Sequence, residues 1–304
     1  MFAGRWQASF EPARKIGESV VSQAIPVASS APLSISLLSN ISYQPTWMVA
    51  FLDVLGWREL VKQSLEDPTL CSKMAFSVGL PALARSYPIT EERVQAGENP
   101  LLIQFSDSIV IASNVANYLL TGDPFPVESL FALLDNICKS FLLNGLFVRG
   151  GISYGELFCS HDFNIVFGPA LTEAYDVENK KSIYPRVVIH AKAKQLLATL
   201  PTNFHRRLIE TADDGELYFN LLQIEPFWAR ENSVKEQQNF LNSLRPHLSR
   251  NLQESSHNWH VMQKYIWFAQ YFNKSAQKCG VQEVEIGERP VCPLCDCPEQ
   301  SCIM

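Results

Sequence analysis

Short apolar runs alternate with polar segments along this chain, and two of the runs carry a single carboxylate each. The first run, Met48 to Trp57, reads as a buried strand that contains Asp53. The second consists of two apolar arms, Leu101 to Phe105 and Ile109 to Ala112, joined by Ser106-Asp107-Ser108. Polar turn residues between two apolar runs are typical of a β-hairpin. The pattern therefore predicts a strand and a hairpin, each with one acidic side chain.

The two carboxylates differ in how strongly their positions indicate a ligand. Asp107 has an ordinary alternative role, because Asp in a turn commonly hydrogen-bonds its own backbone. Asp53 lies inside an apolar strand, where a charge is costly unless it is ion-paired or binds a metal. Two strand-borne carboxylates can share a pair of divalent cations, and oxygen ligands favour Mg²⁺ or Mn²⁺. We therefore take Asp53 and Asp107 as candidate metal ligands.

The remaining hydrophobic pattern predicts a mixed fold. Apolar residues recur at helical spacing over 124–143, and Asn144-Gly145 ends that helix. Further helices are expected at 58–64, 70–83, 170–178, 191–199, 233–244 and 256–277, and further strands at 146–158, 187–190 and 215–222. We expect Gly150-Gly151 to interrupt the strand 146–158, and the polar segment 90–99 to form a turn. The order β-α-α-β-β-α-β-α-β predicts an α+β domain with a mostly antiparallel sheet and helices on one side.

Composition restricts the classes of partner. The chain has 304 residues, 47% of them hydrophobic, so it can hold one large domain or two small ones. The formal net charge of -6 argues against nucleic-acid and anionic-membrane partners, because both favour basic patches. No apolar run reaches the length of a membrane span, and the first residues lack a signal-peptide pattern. We therefore expect a cytoplasmic protein that binds neither nucleic acid nor membrane.

The eight cysteines form two groups. Four are scattered in mostly apolar surroundings, which is typical of buried thiols in a reducing compartment: Cys71, Cys138, Cys159 and Cys279. Four more lie in a Pro-containing tail: Cys292, Cys295, Cys297 and Cys302. Cys-x-x-Cys is half of a zinc site, and a terminal tail is also a common place for oxidation-prone thiols. Both interpretations of the tail stay open.

Four motifs together resemble the class III nucleotidyl cyclases. They are FLDVLGW, FSDSIVIAS, RGGISYGELF (Arg149 to Phe158) and FGPALTEAYDVE (Phe167 to Glu178). Within that superfamily the chain looks most like the pyrimidine cyclases of the bacterial Pycsar anti-phage systems. The resemblance covers roughly residues 47–222 and implies a ferredoxin-like βαββαβ core. It divides the chain into an N-terminal extension (1–44), a nucleotidyl cyclase catalytic domain (45–224), a helical C-terminal addition (225–290) and a Cys-rich tail (291–304).

The resemblance also implies the metal ligands. In this family two Mg²⁺ or Mn²⁺ ions are bound at each site, and Asp53 and Asp107 match the two carboxylates. The backbone carbonyl of Val54 matches a further metal ligand, because the residue after the first Asp has that role in the family.

Three further residues match substrate-binding positions of the family. Arg149 matches the phosphate-binding arginine of the pattern Arg-x-Gly-Ile-x-x-Gly, and a guanidinium suits phosphate because it offers a rigid fork of donors. Gly56 allows backbone amides at the start of the first helix to hold the triphosphate. Phe51, two residues before Asp53 on the same strand face, is expected to contact the nucleotide.

Several positions depart from the purine cyclases. Thr172 and Asp176 stand where those enzymes carry an Asn and an Arg that stabilise the transition state, and Asp213-Asp214 stand where a phosphate-binding Lys is expected. The base-reading positions are Ile103 and Ile165, and apolar side chains cannot hydrogen-bond a purine edge. These departures agree with a non-purine substrate and leave the source of transition-state stabilisation open.

The resulting hypothesis is a uridylate or cytidylate cyclase that makes 3′,5′-cyclic UMP or CMP from UTP or CTP as a defence signal. The resemblance implies a homodimer with composite active sites, in which the helix at 169–178 covers the partner's Asp pair, and a downstream effector that responds to the cyclic nucleotide. One alternative is a catalytically silent nucleotide-binding or scaffold protein, suggested by Thr172 and Asp176. Another is a palm-like diguanylate cyclase, although its Gly-Gly-Asp-Glu-Phe hairpin is absent.

Overall fold

The structure is a computed structural model, and it describes residues 43–83, 89–200, 209–222 and 233–287. The predicted Cys-rich tail, with its possible zinc site, lies outside these ranges, as does nearly all of the predicted N-terminal extension. Within the described ranges, no helix is both long enough and apolar enough to cross a lipid bilayer.

The described strands form one mixed sheet. In chain order they are β1 (Gln44–Val54), β2 (Leu101–Phe105), β3 (Ser108–Asn114), β4 (Val148–Ser160), β5 (Ile165–Phe167), β6 (Val187–Ile189), β7 (Ile209–Thr211) and β8 (Leu217–Phe219). Their order across the sheet is β2-β3-β1-β4-β6-β8-β7, and β5 pairs with the end of β4. Every pairing is antiparallel except that between β4 and β6. The predicted mostly antiparallel sheet is therefore present.

Helices surround this sheet. In chain order they are α1 (Trp57–Ser64), α2 (Pro68–Leu83), α3 (Glu91–Gln95), α4 (Ala116–Thr121), α5 (Phe125–Leu143), α6 (Pro169–Lys181), α7 (Ala191–Leu197), α8 (Ser233–Glu254) and α9 (Trp259–Cys279). A 3₁₀ turn, Ser255–His257, joins α8 to α9.

Both faces of the central strand β1 are apolar, so both faces of the sheet are covered. Met48, Ala50 and Leu52 pack into a large core with α5, α8 and α9, and we call this side the α5 face. Trp47 and Val49 point to the other side, where they pack against α6 and α3, and we call this side the α6 face. The prediction that helices lie on one side is therefore wrong. Alternation in β1 places apolar side chains on both surfaces, and each surface needs a cover.

Gly151 explains how α6 comes so close to the sheet. A Cβ atom at this position would lie 2.1 Å from the carbonyl oxygen of Ala174 and 2.9 Å from the Cβ of Val177. The backbone of α6 therefore rests directly on β4. The prediction that Gly150-Gly151 interrupts this strand is wrong, because both glycines stay paired with β1, opposite Leu52 and Phe51. The absence of side chains at these two glycines allows neighbouring elements to pack closely against β4, and the strand continues through them.

Gly151→Ala is expected to lower the free energy of unfolding by about 1–3 kcal/mol or more, because α6 must move away from β4. Chemical denaturation monitored by circular dichroism measures the change. The matched control is Gly79→Ala in α2, where an added Cβ meets no atom within 4 Å. The control should stay within about 1 kcal/mol of wild type, since Ala favours a helix. Equal stability of Gly151→Ala and wild type would contradict the close approach of α6.

Other predicted elements differ in detail. The segment 90–99 contains α3, which begins where the side chain of Thr90 accepts a hydrogen bond from the amide of Arg93. Helix α8 continues past residue 244 to Glu254, with Pro246 inside it. The three-residue strands β5 and β7 were not predicted, because such short pairings leave little periodic signal. Among the scattered cysteines, Cys138, Cys159 and Cys279 are buried as expected, whereas Cys71 is exposed.

The C-terminal helix α9 is fastened to the sheet by a buried arginine. The side chain of Arg186 is 1% exposed and forms a two-pronged ion pair with Asp214. Its guanidinium lies over the rings of Tyr184 and Trp267, at 5.3 and 5.4 Å from their centroids. Because Trp267 belongs to α9, this stack joins that helix to the loop before β6. Asp214 therefore neutralises a buried cation. Burial acts to raise the pKa of Asp214, but hydrogen bonds from the Arg186 guanidinium and from backbone amides bring it below its usual value.

Candidate functional site

The candidate site lies at one end of the central strands. Asp53 is in register with Arg149 across the β1–β4 pairing. On its other side, β1 pairs with β3 as far as Leu52 and Ile109, just before the turn that holds Asp107. Ser106 in that turn adopts φ 57°, a left-handed conformation that makes the reversal tight. The fold thus brings Asp53, Asp107 and Arg149 to the same end of three neighbouring strands.

A chain of ionic contacts runs through this end of the sheet. Nη2 of Arg149 lies 3.4 Å from Oδ2 of Asp53, and its Nε lies 2.7 Å from Oε1 of Glu178 on α6. The side chains of Arg149 and Asp53 are 22% and 23% exposed, whereas that of Glu178 is only 2% exposed. Arg149 therefore links the solvent-accessible carboxylate of Asp53 to the buried carboxylate of Glu178.

Burial and like charge raise the pKa of both carboxylates that flank Arg149. The pKa of Asp53 is raised mainly by burial, with further contributions from the charge and side-chain contact of Asp107, and Arg149 opposes the rise. The pKa of Glu178 is raised to about 6, first by burial, with Asp53 adding to the rise and Arg149 opposing it. Glu178 is therefore mostly ionised at pH 7, and its negative charge is balanced by the Arg149 guanidinium. Asp53 and Asp107, as like charges, repel each other.

A second cation from the C-terminal helix belongs to the same electrostatic cluster. Lys264 on α9 interacts with the charges of Arg149, Asp53 and Glu178, and burial is the main cause that lowers its pKa. Neither Lys264 nor Glu178 was among the predicted site residues. Glu178 had a detectable signal, because it follows Ala170 and Ala174 at steps of four residues on the buried side of α6. Lys264 lies in an aromatic stretch far along the chain, and no local pattern connects it to β4.

The predicted nucleotide-contact residues surround Asp53. Phe51 lies on the same face of β1 and makes an edge-to-face contact with Tyr175 on α6, with ring centroids 5.3 Å apart. The side chain of Val54 is buried. Gly56 precedes α1 with φ 75°, a conformation that favours glycine. The first amides of a helix lack partners within it, so this turn can offer donors to an anion.

The two predicted base-reading positions, Ile103 and Ile165, do not lie close together within a single chain. Ile103 lies in a row across the sheet, opposite Val110, which in turn pairs with Phe51. This row is close to Asp53 and is apolar. Ile165 is in β5, which pairs with the far end of β4 at Ser160, and it is 40% exposed. A chain by itself therefore brings Ile103 near the Asp pair but leaves Ile165 at the other end of β4.

The predicted departures on α6, Thr172 and Asp176, have partners elsewhere on or beside their own helix. The Thr172 hydroxyl donates to the Gly168 carbonyl, and Asp176 pairs with Lys180 on the exposed side of the helix. Glu173, in contrast, accepts a hydrogen bond from Ser153 at 2.8 Å and pairs with Lys192 within the chain. Thr172 and Asp176 are therefore accessible to a partner molecule, whereas Glu173 is occupied internally.

The predicted metal ligands can be tested against the donor set. No group of three or more His, Cys, Asp or Glu side chains suited to a metal occurs within the part of the chain that the structure describes. Asp53 and Asp107 nevertheless place two contacting carboxylates at one point, and their mutual repulsion would be relieved by a cation between them. With the carbonyl of Val54 they form an all-oxygen set, which fits a hard cation such as Mg²⁺ or Mn²⁺.

No protein-family model matches the chain, and no curated protein matches it either. Among solved structures, a bacterial light-regulated adenylyl cyclase is similar, with 12% sequence identity and a TM-score of 0.34. The match covers 67% of this chain and 58% of that structure, so the chain spans less than two thirds of the neighbour's length.

Proposed function

We propose that this protein is a nucleotidyl cyclase that converts UTP or CTP to the 3′,5′-cyclic monophosphate and pyrophosphate. The observation that carries the proposal is the Asp53–Asp107 pair at the end of adjacent strands, with Arg149 in register beside Asp53. An aspartate pair of which one member, Asp53, contacts the Arg149 guanidinium can hold a polyphosphate together with its cations. The motifs FLDVLGW, FSDSIVIAS and RGGISYGELF, which carry these residues, connect the site to cyclase chemistry.

The reaction is an intramolecular displacement. The 3′ hydroxyl oxygen of the ribose forms a bond to the α-phosphorus and loses its proton to solvent, the bond from that phosphorus to the bridging oxygen breaks, and pyrophosphate leaves with the electron pair. Two Mn²⁺ or Mg²⁺ ions would be held by Asp53, Asp107 and the Val54 carbonyl. When bound, such ions neutralise phosphate charge and lower the pKa of the attacking hydroxyl. Arg149 binds the phosphates through its guanidinium, and Phe51 lies beside the nucleotide.

The preference for a pyrimidine is supported by the side chains near the Asp pair. The row formed by Ile103, Val110 and Phe51 offers apolar surface and no side-chain hydrogen-bond donor or acceptor. A site without such groups cannot select a purine edge by hydrogen bonding. UTP is the preferred candidate and CTP the second. We further propose that the cyclic product acts as a second messenger in anti-phage defence, through an effector that responds to it.

A homodimer with composite sites is part of the proposal. Several large apolar side chains are exposed on the hairpin turn, on β5 and on α6: Phe105 at 82%, Tyr175 at 49%, Phe167 at 44% and Ile165 at 40%. These side chains are available for contact with a partner molecule. A partner molecule seated there would cover the open side of the Asp pair and would bring its own α6 towards it.

The direct test is incubation of the purified protein with each of the four ribonucleoside triphosphates and Mn²⁺, followed by chromatography of the products. UTP or CTP should be consumed well ahead of ATP and GTP, with one pyrophosphate released per cyclic product. A preference for ATP would overturn the pyrimidine assignment and retain the cyclase. A linear dinucleotide or cyclic dinucleotide from GTP would favour the diguanylate cyclase alternative.

A catalytically silent nucleotide-binding protein is the second candidate. The observation that favours it is the occupation of Arg149 by Asp53 on one side and Glu178 on the other, together with Thr172 and Asp176 on α6. In the same assay this protein would bind a nucleotide without consuming it. Equilibrium binding measured beside turnover therefore separates the two candidates.

A further inference from the structure

The C-terminal helix α9 packs against Phe147, the residue that immediately precedes β4, the strand that carries Arg149. The ring of Phe147, two residues before Arg149, contacts Tyr265 and Phe268 with centroids 5.2 and 5.0 Å away. Lys264 precedes Tyr265 and is one helical turn before Phe268. Residues four apart share one side of a helix, so Lys264 lies on the side of α9 that faces Phe147, next to the start of β4.

Lys264 is half-buried at this position and has no direct partner. Within the described residues its ammonium group makes neither an ion pair nor a hydrogen bond. Its charge nevertheless interacts with those of Arg149, Asp53 and Glu178. Three hydrogen-bond donors therefore remain available next to the ionic cluster. A partly buried cation without a partner is costly, and an anionic ligand would remove that cost.

The neighbouring arginine cannot provide all of the positive charge that a polyphosphate requires. Arg149 is shared between Asp53 and Glu178, so its charge is already compensated within the chain. The cluster of Asp53, Asp107, Glu178, Arg149 and Lys264 has three carboxylates and two cations. A bound triphosphate adds several negative charges to it, and the uncommitted donors of Lys264 are the protein groups best placed to meet them.

We propose that Lys264 is a substrate-binding residue whose ammonium group contacts the polyphosphate of a nucleotide bound at Asp53 and Arg149. The helical C-terminal segment is then part of the active site and supplies a cation to the catalytic strands. This inference rests on the proposed function for the identity of the substrate. It assigns to α9 a role that packing by its aromatic residues does not require.

The experiment compares Lys264→Met, Lys264→Gln and Lys264→Arg with Lys274→Gln, an exposed lysine on the same helix that serves as the matched control. The probe is inorganic tripolyphosphate with Mn²⁺, and titration calorimetry gives its Kd. Lys264→Met and Lys264→Gln should weaken binding by about tenfold or more, because each removes a charged hydrogen bond. Lys264→Arg should retain most of the affinity, and Lys274→Gln should match wild type.

Kinetics with UTP or CTP provide a second readout that a purely structural role would not move. Lys264→Gln should raise KM by a similar factor, and its Tm without ligand should equal or slightly exceed that of wild type, because an unpartnered, partly buried cation is removed. The ligand-induced rise in Tm should shrink in this variant and persist in Lys274→Gln. A structural lysine would instead lower Tm without ligand when replaced and leave the ligand-induced rise intact.

The outcomes separate this inference from the proposed function. Tripolyphosphate binding that depends on Lys264 in a protein that cyclises no nucleotide would support the inference and refute the cyclase. Cyclisation of UTP or CTP with unchanged KM and tripolyphosphate affinity in folded Lys264→Met or Lys264→Gln would refute the inference and support the cyclase. Absence of tripolyphosphate binding by folded wild-type protein would also overturn the role of Lys264.

Discussion

Asp53→Asn and Asp107→Asn, each made separately, are expected to reduce cyclisation of UTP or CTP by about 10³-fold or more. Each change removes a negative oxygen ligand from the proposed ion site, and bound metal contributes several kcal/mol of transition-state stabilisation. Because asparagine has the shape of aspartate, the fold should persist. Turnover with Mn²⁺, measured by chromatography, gives the activity, and circular dichroism reports the fold.

Stability without metal gives this prediction a second test. Burial raises the pKa of Asp53, and the charge of Asp107 adds to the rise, as expected for two carboxylates that repel each other. Asp107→Asn should therefore leave Tm unchanged or slightly higher without Mn²⁺, and should lose the rise in Tm that Mn²⁺ gives in wild type. Asp162→Asn, at the exposed β4–β5 turn, is the matched control and should behave as wild type. Near-normal turnover in either site variant would refute the metal assignment.

The parts of the site that could be predicted are those whose signal is local. Asp53 was detectable because a carboxylate inside an apolar strand needs a partner, and the hairpin was detectable because polar turn residues separate two apolar arms. The structure places both at one end of the sheet. Arg149 was identified through a motif, and its register opposite Asp53 explains physically why an arginine belongs there.

The parts that could not be predicted depend on contacts distant in sequence. Lys264 reaches the site because aromatic residues of α9 pack against Phe147, more than a hundred positions earlier. Glu178 shows a helical period with Ala170 and Ala174, but its pairing with Arg149 depends on α6 lying on the α6 face. The sequence pattern predicts helices on one side of the sheet only, and it indicates a strand break at Gly150-Gly151. In the structure Gly151 instead allows α6 to pack closely on β4, on the second side of the sheet.

The ionic contacts indicate how the free site is organised. Arg149 forms one ion pair with Glu178, which is buried, and a second with Asp53, which is partly exposed. A ligand from solvent can therefore replace the contact with Asp53 but not the contact with Glu178. A polyphosphate that binds Arg149 and Lys264 competes with Asp53 for the guanidinium. The Asp53 carboxylate is then available to bind Mn²⁺ or Mg²⁺. Glu178 then acts as a positioning residue, because it holds Arg149 at the end of β4 throughout.

Mixing two inactive variants, Asp53→Asn and Thr172→Arg, is expected to restore about a quarter of the wild-type activity. If each active site combines the Asp pair of one molecule with α6 of its partner, half of the dimers in an equal mixture are mixed. One of the two sites in each mixed dimer is intact, which gives about one quarter of all sites. Thr172 is the chosen position because it is exposed and touches no residue of the Asp pair in its own chain.

The choice of position and control makes the mixing experiment selective. Glu173 is unsuitable, since its bonds to Ser153 and Lys192 hold its own chain together. An arginine at position 172 adds bulk and charge at the surface of α6, where a partner's nucleotide would lie, with little effect on packing inside the chain. The matched control mixes Asp53→Asn with Asp107→Asn, whose defects fall in the same half of the site, so no dimer contains an intact one.

Recovery in the first mixture and none in the control would support composite sites in a homodimer. Subunit exchange must be confirmed by mass spectrometry of differently tagged chains, so that a negative result has a clear meaning. Lack of recovery after full exchange would refute sharing of sites between molecules. Full activity from a protein that stays monomeric at assay concentrations would refute it as well, because one chain would then supply both walls of the site.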